Sequence, residues 1–159
     1  MVTTKKLMEL AAQYAGMQST CRKVSVGAVI VRYNRTQHKN DARIISFGAN
    51  VSVPSCTYSC MRQDKYGDDS KNHRLPSDCR SVHAEIDAII NAKQDLTGCW
   101  LYVTRYPCEA CARAIVLAGI SNVYYGRQQP ISQQTQNILE SGHVNVVHFS
   151  SYSEEDRND

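Results

Sequence analysis

His83 and Glu85 stand two residues apart in Val-His-Ala-Glu, at the head of an apolar run (Ile86, Ile89, Ile90). Cys108 and Cys111 stand three apart in Pro-Cys-Glu-Ala-Cys, at the head of another (Ala112, Ile115, Val116). One imidazole and two thiolates form a zinc-binding set, and three protein ligands leave the fourth position of a tetrahedral ion open, as in catalytic rather than structural sites. Such an ion makes water acidic enough to act as a nucleophile near neutral pH. Glu85 would carry protons beside it. Two-residue spacing at a helix start turns Glu85 away from the direction of His83, so the carboxylate comes close without filling the fourth position. Both ligand sets open helices, whose positive dipole ends favour thiolates.

The elements that must hold these residues follow from periodicity. Thr3 or Thr4 caps a first helix carrying Leu7, Leu10, Ala11 and Tyr14 on one face, which should end near Ser19 to Cys21. Val24 to Arg32 and Arg43 to Gly48 are β-branched runs that read as neighbouring strands joined by a loose hairpin. The helix from Ala84 to Lys93, the strand from Cys99 to Thr104, the helix from Glu109 to Ala118 stopped by Gly119, and the strand from Asn122 to Gly126 carry the two ligand sets. A helix from Ile131 to Ser141 and a strand from Val144 to Phe149 close the series. A helix between the last two strands implies that they run parallel. The expected fold is α/β with three layers: a mixed five-stranded sheet covered by helices on both faces.

At 159 residues with a net charge of +3, the chain is expected to form one domain over residues 1–150. The tail Ser150-Ser-Tyr-Ser-Glu-Glu-Asp-Arg-Asn-Asp is acidic and poor in apolar groups, so 151–159 should be frayed. The charge is too small to coat a nucleic acid, and no apolar run is long enough to cross a bilayer or to form a signal-peptide core, which makes a cytoplasmic protein the default. Seven cysteines in a reducing compartment are metal ligands or buried thiols rather than disulfides. Between Asn50 and Ser81 the periodicity vanishes, and Cys56, Cys60, Cys79 and His73 fall in this insert. So long a loop needs a function or something to hold it.

His-x-Glu followed by Pro-Cys-x-x-Cys resembles the zinc-dependent nucleobase deaminases. The parallel final strand pair is similar to the branch holding deoxycytidylate deaminases, tRNA adenosine deaminases and single-strand editing enzymes. Ser19-Thr-Cys-Arg-Lys-Val-Ser-Val-Gly-Ala-Val-Ile-Val resembles the first strand of deoxycytidylate deaminases in particular. The resemblance implies hydrolysis of dCMP to dUMP with release of ammonia, supplying thymidylate synthesis, with zinc on His83, Cys108 and Cys111 and Glu85 as general acid and base. Asn50 in Phe-Gly-Ala-Asn falls where the family places a sugar-hydroxyl partner, although Val51 replaces the glycine that follows there. Ala84 would offer backbone to the base, and Arg22 and Arg127 fall near positions that face the substrate phosphate. Tyr106 either lines the pocket or packs on the sheet. Cys99 reads as a core residue, and His143 and His148 as surface or packing residues.

Some members of that family also hold a second, structural zinc near the first-strand cysteine. Here Cys21, Cys56, Cys60 and Cys79 would form a closed four-thiolate site, with His73 as a substitute for one of them; free thiols in a flexible insert are the alternative. Members often assemble as hexamers and answer dCTP and dTTP with Mg assistance. Two other functions compete: a tRNA or single-stranded nucleic-acid deaminase, against which the chain lacks a basic aromatic-rich stretch, and a catalytically inactive zinc-binding module, against which Glu85 argues.

Overall fold

The computed structural model describes residues 2–34, 42–53, 56, 60, 65, 79–127 and 131–150. Helix α1 spans Thr4–Gln18; Thr3 caps it by accepting the Lys6 amide at 3.2 Å, and Ser19 closes it. Strands β1 (Gly27–Tyr33) and β2 (Ala42–Ala49) pair antiparallel, with a bulge between Ile30 and Val31. Two short strands, β3 (Val51–Ser52) and β4 (Ser81–Val82), pair with each other. Helix α2 (Ala84–Ala92) leads to β5 (Trp100–Arg105), α3 (Glu109–Leu117), β6 (Asn122–Arg127), α4 (Gln133–Ser141) and β7 (Asn145–His148).

The five-stranded sheet has the order β2-β1-β5-β6-β7, and β5, β6 and β7 run parallel as the intervening helices required. Its central strands are buried on both faces, so they read as continuous apolar runs. In β1, Ala28 and Ile30 face the layer holding α2, α3 and α4, while Val29 and Val31 face Leu7, Met8 and Ala11 of α1. The stripe that α1 buries is thus Leu7, Met8, Ala11 and Ala15, rotated from the expected one because the helix backbone lies directly on β1. A Cβ at Gly27 would fall 1.9 Å from the Ala11 carbonyl oxygen, so only glycine permits this approach.

Two features differ from the sequence reading. Val24 to Val26 is not part of β1. The Asn50 side chain takes the place of a ladder there, its Oδ1 accepting the Val26 amide at 2.8 Å and its Nδ2 donating to the Val24 carbonyl at 2.7 Å. The ends of the 50–81 insert are not irregular but zip together as β3 and β4, which at two residues each are too short for any periodicity to show. His73 and the tail 151–159 lie outside the described residues. No helix among the described residues is long and apolar enough to cross a membrane.

Candidate metal centre

His83 is the N-cap of α2 and Cys108 the N-cap of α3; neither side chain caps its helix, which leaves both free to point at a common centre. Cys111 lies one turn into α3 and is buried. The His83 Nδ1 stands 3.4 Å from the sulfur of Cys108 and 3.4 Å from that of Cys111. A tetrahedral ion with Zn–N and Zn–S bonds of about 2.0 and 2.3 Å separates its ligand atoms by about 3.5 to 3.8 Å. Both nitrogen–sulfur separations are therefore already close to a tetrahedral edge, with the two sulfurs within 4.8 Å of each other, and the softness of the donors selects zinc over magnesium or calcium. Among the described residues this is the one place where three or more His, Cys, Asp or Glu donor atoms meet within 4.8 Å.

The protons of the cluster follow from its crowding. A hydrogen bond from Cys111, aided by His83, holds the Cys108 thiol down to about 3. Cys111 is pushed upward by its bond to Cys108 and by burial, because two adjacent thiolates repel until a cation joins them. His83 is raised by its bond to Cys108 against the opposing effect of burial. Glu85 is 4% exposed, and burial raises its pKa although the nearby His83 works the other way. Its carboxylate touches Cys111 but lies outside the three-donor cluster, the position required of a proton carrier rather than a ligand.

Of the substrate-side candidates, Ala84 is fully buried, its carbonyl oxygen pressed against Gly48, where a Cβ would come within 2.1 Å. Asn50 is buried, and its amide ties residues 19–26 to the end of β2: besides Val24 and Val26, Ser19 Oγ donates to Oδ1 at 2.6 Å. The Arg22 Nε donates to the Cys56 carbonyl at 3.2 Å. Arg127 is exposed at the end of β6, where its carbonyl accepts the Tyr106 amide at 3.0 Å. Tyr106 is 5% exposed and meets Tyr125 edge-on at 4.8 Å. Cys99 is fully buried, with Arg32 Nε donating to its sulfur at 3.4 Å. His148 turns a ring nitrogen to the Gly126 carbonyl at 2.9 Å, and His143 is exposed with φ 54°.

The insert cysteines are arranged differently from the first cluster. Cys21, Cys56 and Cys60 are half-buried and Cys79 exposed, and no three of the four sulfurs meet within 4.8 Å. Residues next to Cys21, Cys56 and Cys79 do converge: the Ser52 amide donates to Thr20 Oγ1 at 2.7 Å, the Val53 amide to the Arg80 carbonyl at 3.1 Å, and the Cys56 thiol to Ser52 Oγ at 3.5 Å.

Sequence reasoning did not single out Arg105. It is the cross-strand partner of Arg127, on the same face as Leu101 and Val103, and its charge acts on His83. The alternation of β5 two residues before the Pro-Cys motif was the available signal.

A three-layer α/β fold with a His/Cys/Cys centre at two helix N-termini and a buried carboxylate beside it defines a class of metal-dependent protein. Residues 1–127 match the family described as "Cytidine and deoxycytidylate deaminase zinc-binding region", and the chain belongs to that family. It is 32% identical over 137 residues to the ComE operon protein 2 of Bacillus subtilis, covering 82% of this chain and 62% of that protein, so under two thirds of that relative is spanned. It is 32% identical over 120 residues to the deoxycytidylate deaminase of Mycobacterium phage D29, covering 74% of this chain and 89% of the relative. Among solved structures, the dCMP deaminase of cyanophage S-TIM5 in complex with dCMP and dUMP aligns over 91% of this chain and 95% of its own with a TM-score of 0.65 at 23% identity, a likeness of fold.

Proposed function

We infer that this protein is a hydrolytic, zinc-dependent deaminase converting dCMP and water to dUMP and ammonia. The observation that carries the reading is the buried Glu85 carboxyl beside three donors already spaced for zinc. His83, Cys108 and Cys111 would hold the ion, which when bound supplies Lewis acidity that brings the pKa of water towards about 7. The chain's own chemistry then rests on Glu85. Its carboxylate takes one proton from the attacking water and delivers it to the ring nitrogen, then takes the second from the new hydroxyl on the ring carbon and passes it to the amino group as the carbon–nitrogen bond breaks, leaving the carbonyl of dUMP and ammonia. Burial raises its affinity for that proton, which suits a group that must accept one and give it back near neutral pH. The relative from phage D29, matched along most of its length, supports dCMP as the substrate. Supply of dUMP for thymidylate synthesis and a cytoplasmic setting belong to the same reading.

The 5′-phosphate should be required, because a charged group remote from the ring is where binding energy can be spent on orientation. Arg127, beside Arg105 at the ends of β5 and β6, and Arg22 are the guanidinium candidates, with Asn50 and Ala84 as contacts to sugar and base. Ammonia release should therefore be far faster from dCMP than from deoxycytidine, and the Arg→Ala variant at the true contact should narrow that gap. Equal efficiency on the two, or preference for a single-stranded oligonucleotide, would reject the mononucleotide assignment. In the same assay, a hexamer under nucleotide control would give a sigmoidal dCMP curve that dCTP sharpens to a hyperbola and dTTP depresses; hyperbolic kinetics indifferent to both would remove that part of the reading.

A second, structural zinc on Cys21, Cys56, Cys60 and Cys79 is also part of this proposal, supported by the bonds that bring Thr20 and Arg22, Ser52, Val53 and Cys56, and Arg80 together. Since the four sulfurs are not gathered, the ion would have to draw them in, coupling metal binding to ordering of the insert. Metal analysis of unchelated protein should give two zincs per chain and Cys56→Ser one; a single zinc in the wild type refutes it.

A further inference from the structure

The position of α2, and with it His83 and Glu85, depends on an edge strand. Just beyond the β1/β2 pair the Asn50 backbone amide donates to the Val26 carbonyl at 3.1 Å, and residues of an antiparallel ladder alternate between bonded and non-bonded pairs. Phe47 and Ala49 therefore turn their backbone groups outward, to the side of β2 that no strand covers. Of these groups, the Ala49 N–H and the Phe47 carbonyl are taken up by α2. Asp87 Oδ2 accepts the Ala49 amide at 3.0 Å, and Asn91 Nδ2 donates to the Phe47 carbonyl at 3.1 Å. Asp87 and Asn91 are four residues apart and so share one side of the helix. A third bond runs the other way, from Ser46 Oγ to the Ala88 carbonyl at 2.8 Å. Gly48 fills the space between them, where a Cβ would fall 2.1 Å from the Ala84 oxygen and 2.3 Å from the Ala88 nitrogen.

We propose that Asp87 is a positioning residue: with Asn91 it locks α2 in rotation and register against β2, setting where His83 and Glu85 stand relative to the Cys108 and Cys111 thiols on α3. Close packing at Gly48 holds the helix against the sheet but does not fix its turn about its own axis; directional hydrogen bonds do. With side chains reaching about 5 to 6 Å from the axis, a 20° rotation of α2 would move their tips by about 2 Å. That is more than the tolerance of a metal ligand, and a misplacement of about 1 Å can cost a reaction about 10²-fold. Asp87 is suited to this role because it lies one turn from His83 and bonds an otherwise unpaired edge amide.

The activity arm of the test rests on the proposed dCMP deamination; two other arms do not. Asp87→Ala should lower kcat on dCMP about ten- to a hundredfold with KM within about twofold, and weaken zinc in a chelator competition about tenfold or more. Exchange of the Ala49 amide with deuterium should accelerate while amides of β5 and β6 keep their protection. Asp87→Asn retains an oxygen acceptor, so it should restore kcat, zinc affinity and Ala49 protection to within about threefold of wild type. Wild-type kcat and zinc affinity in Asp87→Ala would overturn the proposal, as would equal losses in Asp87→Asn and Asp87→Ala. If wild type itself fails to turn over dCMP, the deamination reading falls, and zinc affinity and amide exchange still decide the role of Asp87.

Discussion

Glu85→Gln is expected to bind zinc and fold as the wild type does while losing turnover by at least ~10² to 10⁴. Glutamine keeps the shape and can accept or donate hydrogen bonds, but it cannot take a proton from water or return one to a leaving amine. Because one carboxyl serves more than one transfer, the loss should fall at the upper end of that range. Steady-state kinetics with metal analysis of the same sample checks it, and near-normal turnover in a zinc-loaded Glu85→Gln would remove Glu85 from the mechanism. A second readout needs no substrate. Burial raises the folded-state pKa of Glu85 above its unfolded value, so its contribution to stability is complete below the unfolded pKa of about 4.3 and is lost as pH rises through the folded one. Glutamine never ionises and escapes this loss. In chelated protein, Glu85→Gln should therefore unfold at a higher temperature than wild type near about pH 8, and the difference should vanish near about pH 4. A wild type that is the more stable at high pH would mean that the buried carboxylate is compensated in a way its surroundings do not suggest.

Replacing either thiol should be as damaging by a different route. Cys111→Ser removes the buried ligand and leaves an oxygen that zinc binds poorly, so affinity should fall by more than about 100-fold and activity with it. The wild-type affinity should depend on pH in a way the cluster dictates. Cys108 is held near about 3 by Cys111 and His83, so it is ionised at neutral pH without help, whereas Cys111 is held protonated beside it. Zinc binding must then expel the Cys111 proton, which gives about a tenfold gain in affinity per pH unit through neutrality. Below the raised pKa of His83 a second proton must leave as well, and the slope should steepen towards about two decades per unit. Competition against a chelator from about pH 5 to about pH 8 measures this. A flat profile would mean that both thiols are already ionised in the metal-free chain.

The meeting of His83, Cys108 and Cys111 and most of the elements were legible in the residues themselves. His83, Glu85, Cys108 and Cys111 are read from spacing because a ligand set built on two helix N-termini needs only local geometry within each motif. The parallel order of β5, β6 and β7 follows from the helices between them, which no hairpin could replace. Tertiary structure decided what depends on contacts between segments far apart in the chain. Asn50 falls at a position that resembles a sugar contact, yet its amide replaces a stretch of β1 ladder, because a buried side chain must satisfy its polar atoms wherever partners lie. The face of α1 that is buried was set by the approach of Gly27 to Ala11, which periodicity alone could not locate. Arg105 gains meaning only through its pairing with Arg127. Asp87 reads locally as one acidic residue in a first helical turn, and it takes the outer edge of β2, 38 residues away in sequence, to turn it into a bond that ties the helix carrying His83 and Glu85 to the sheet.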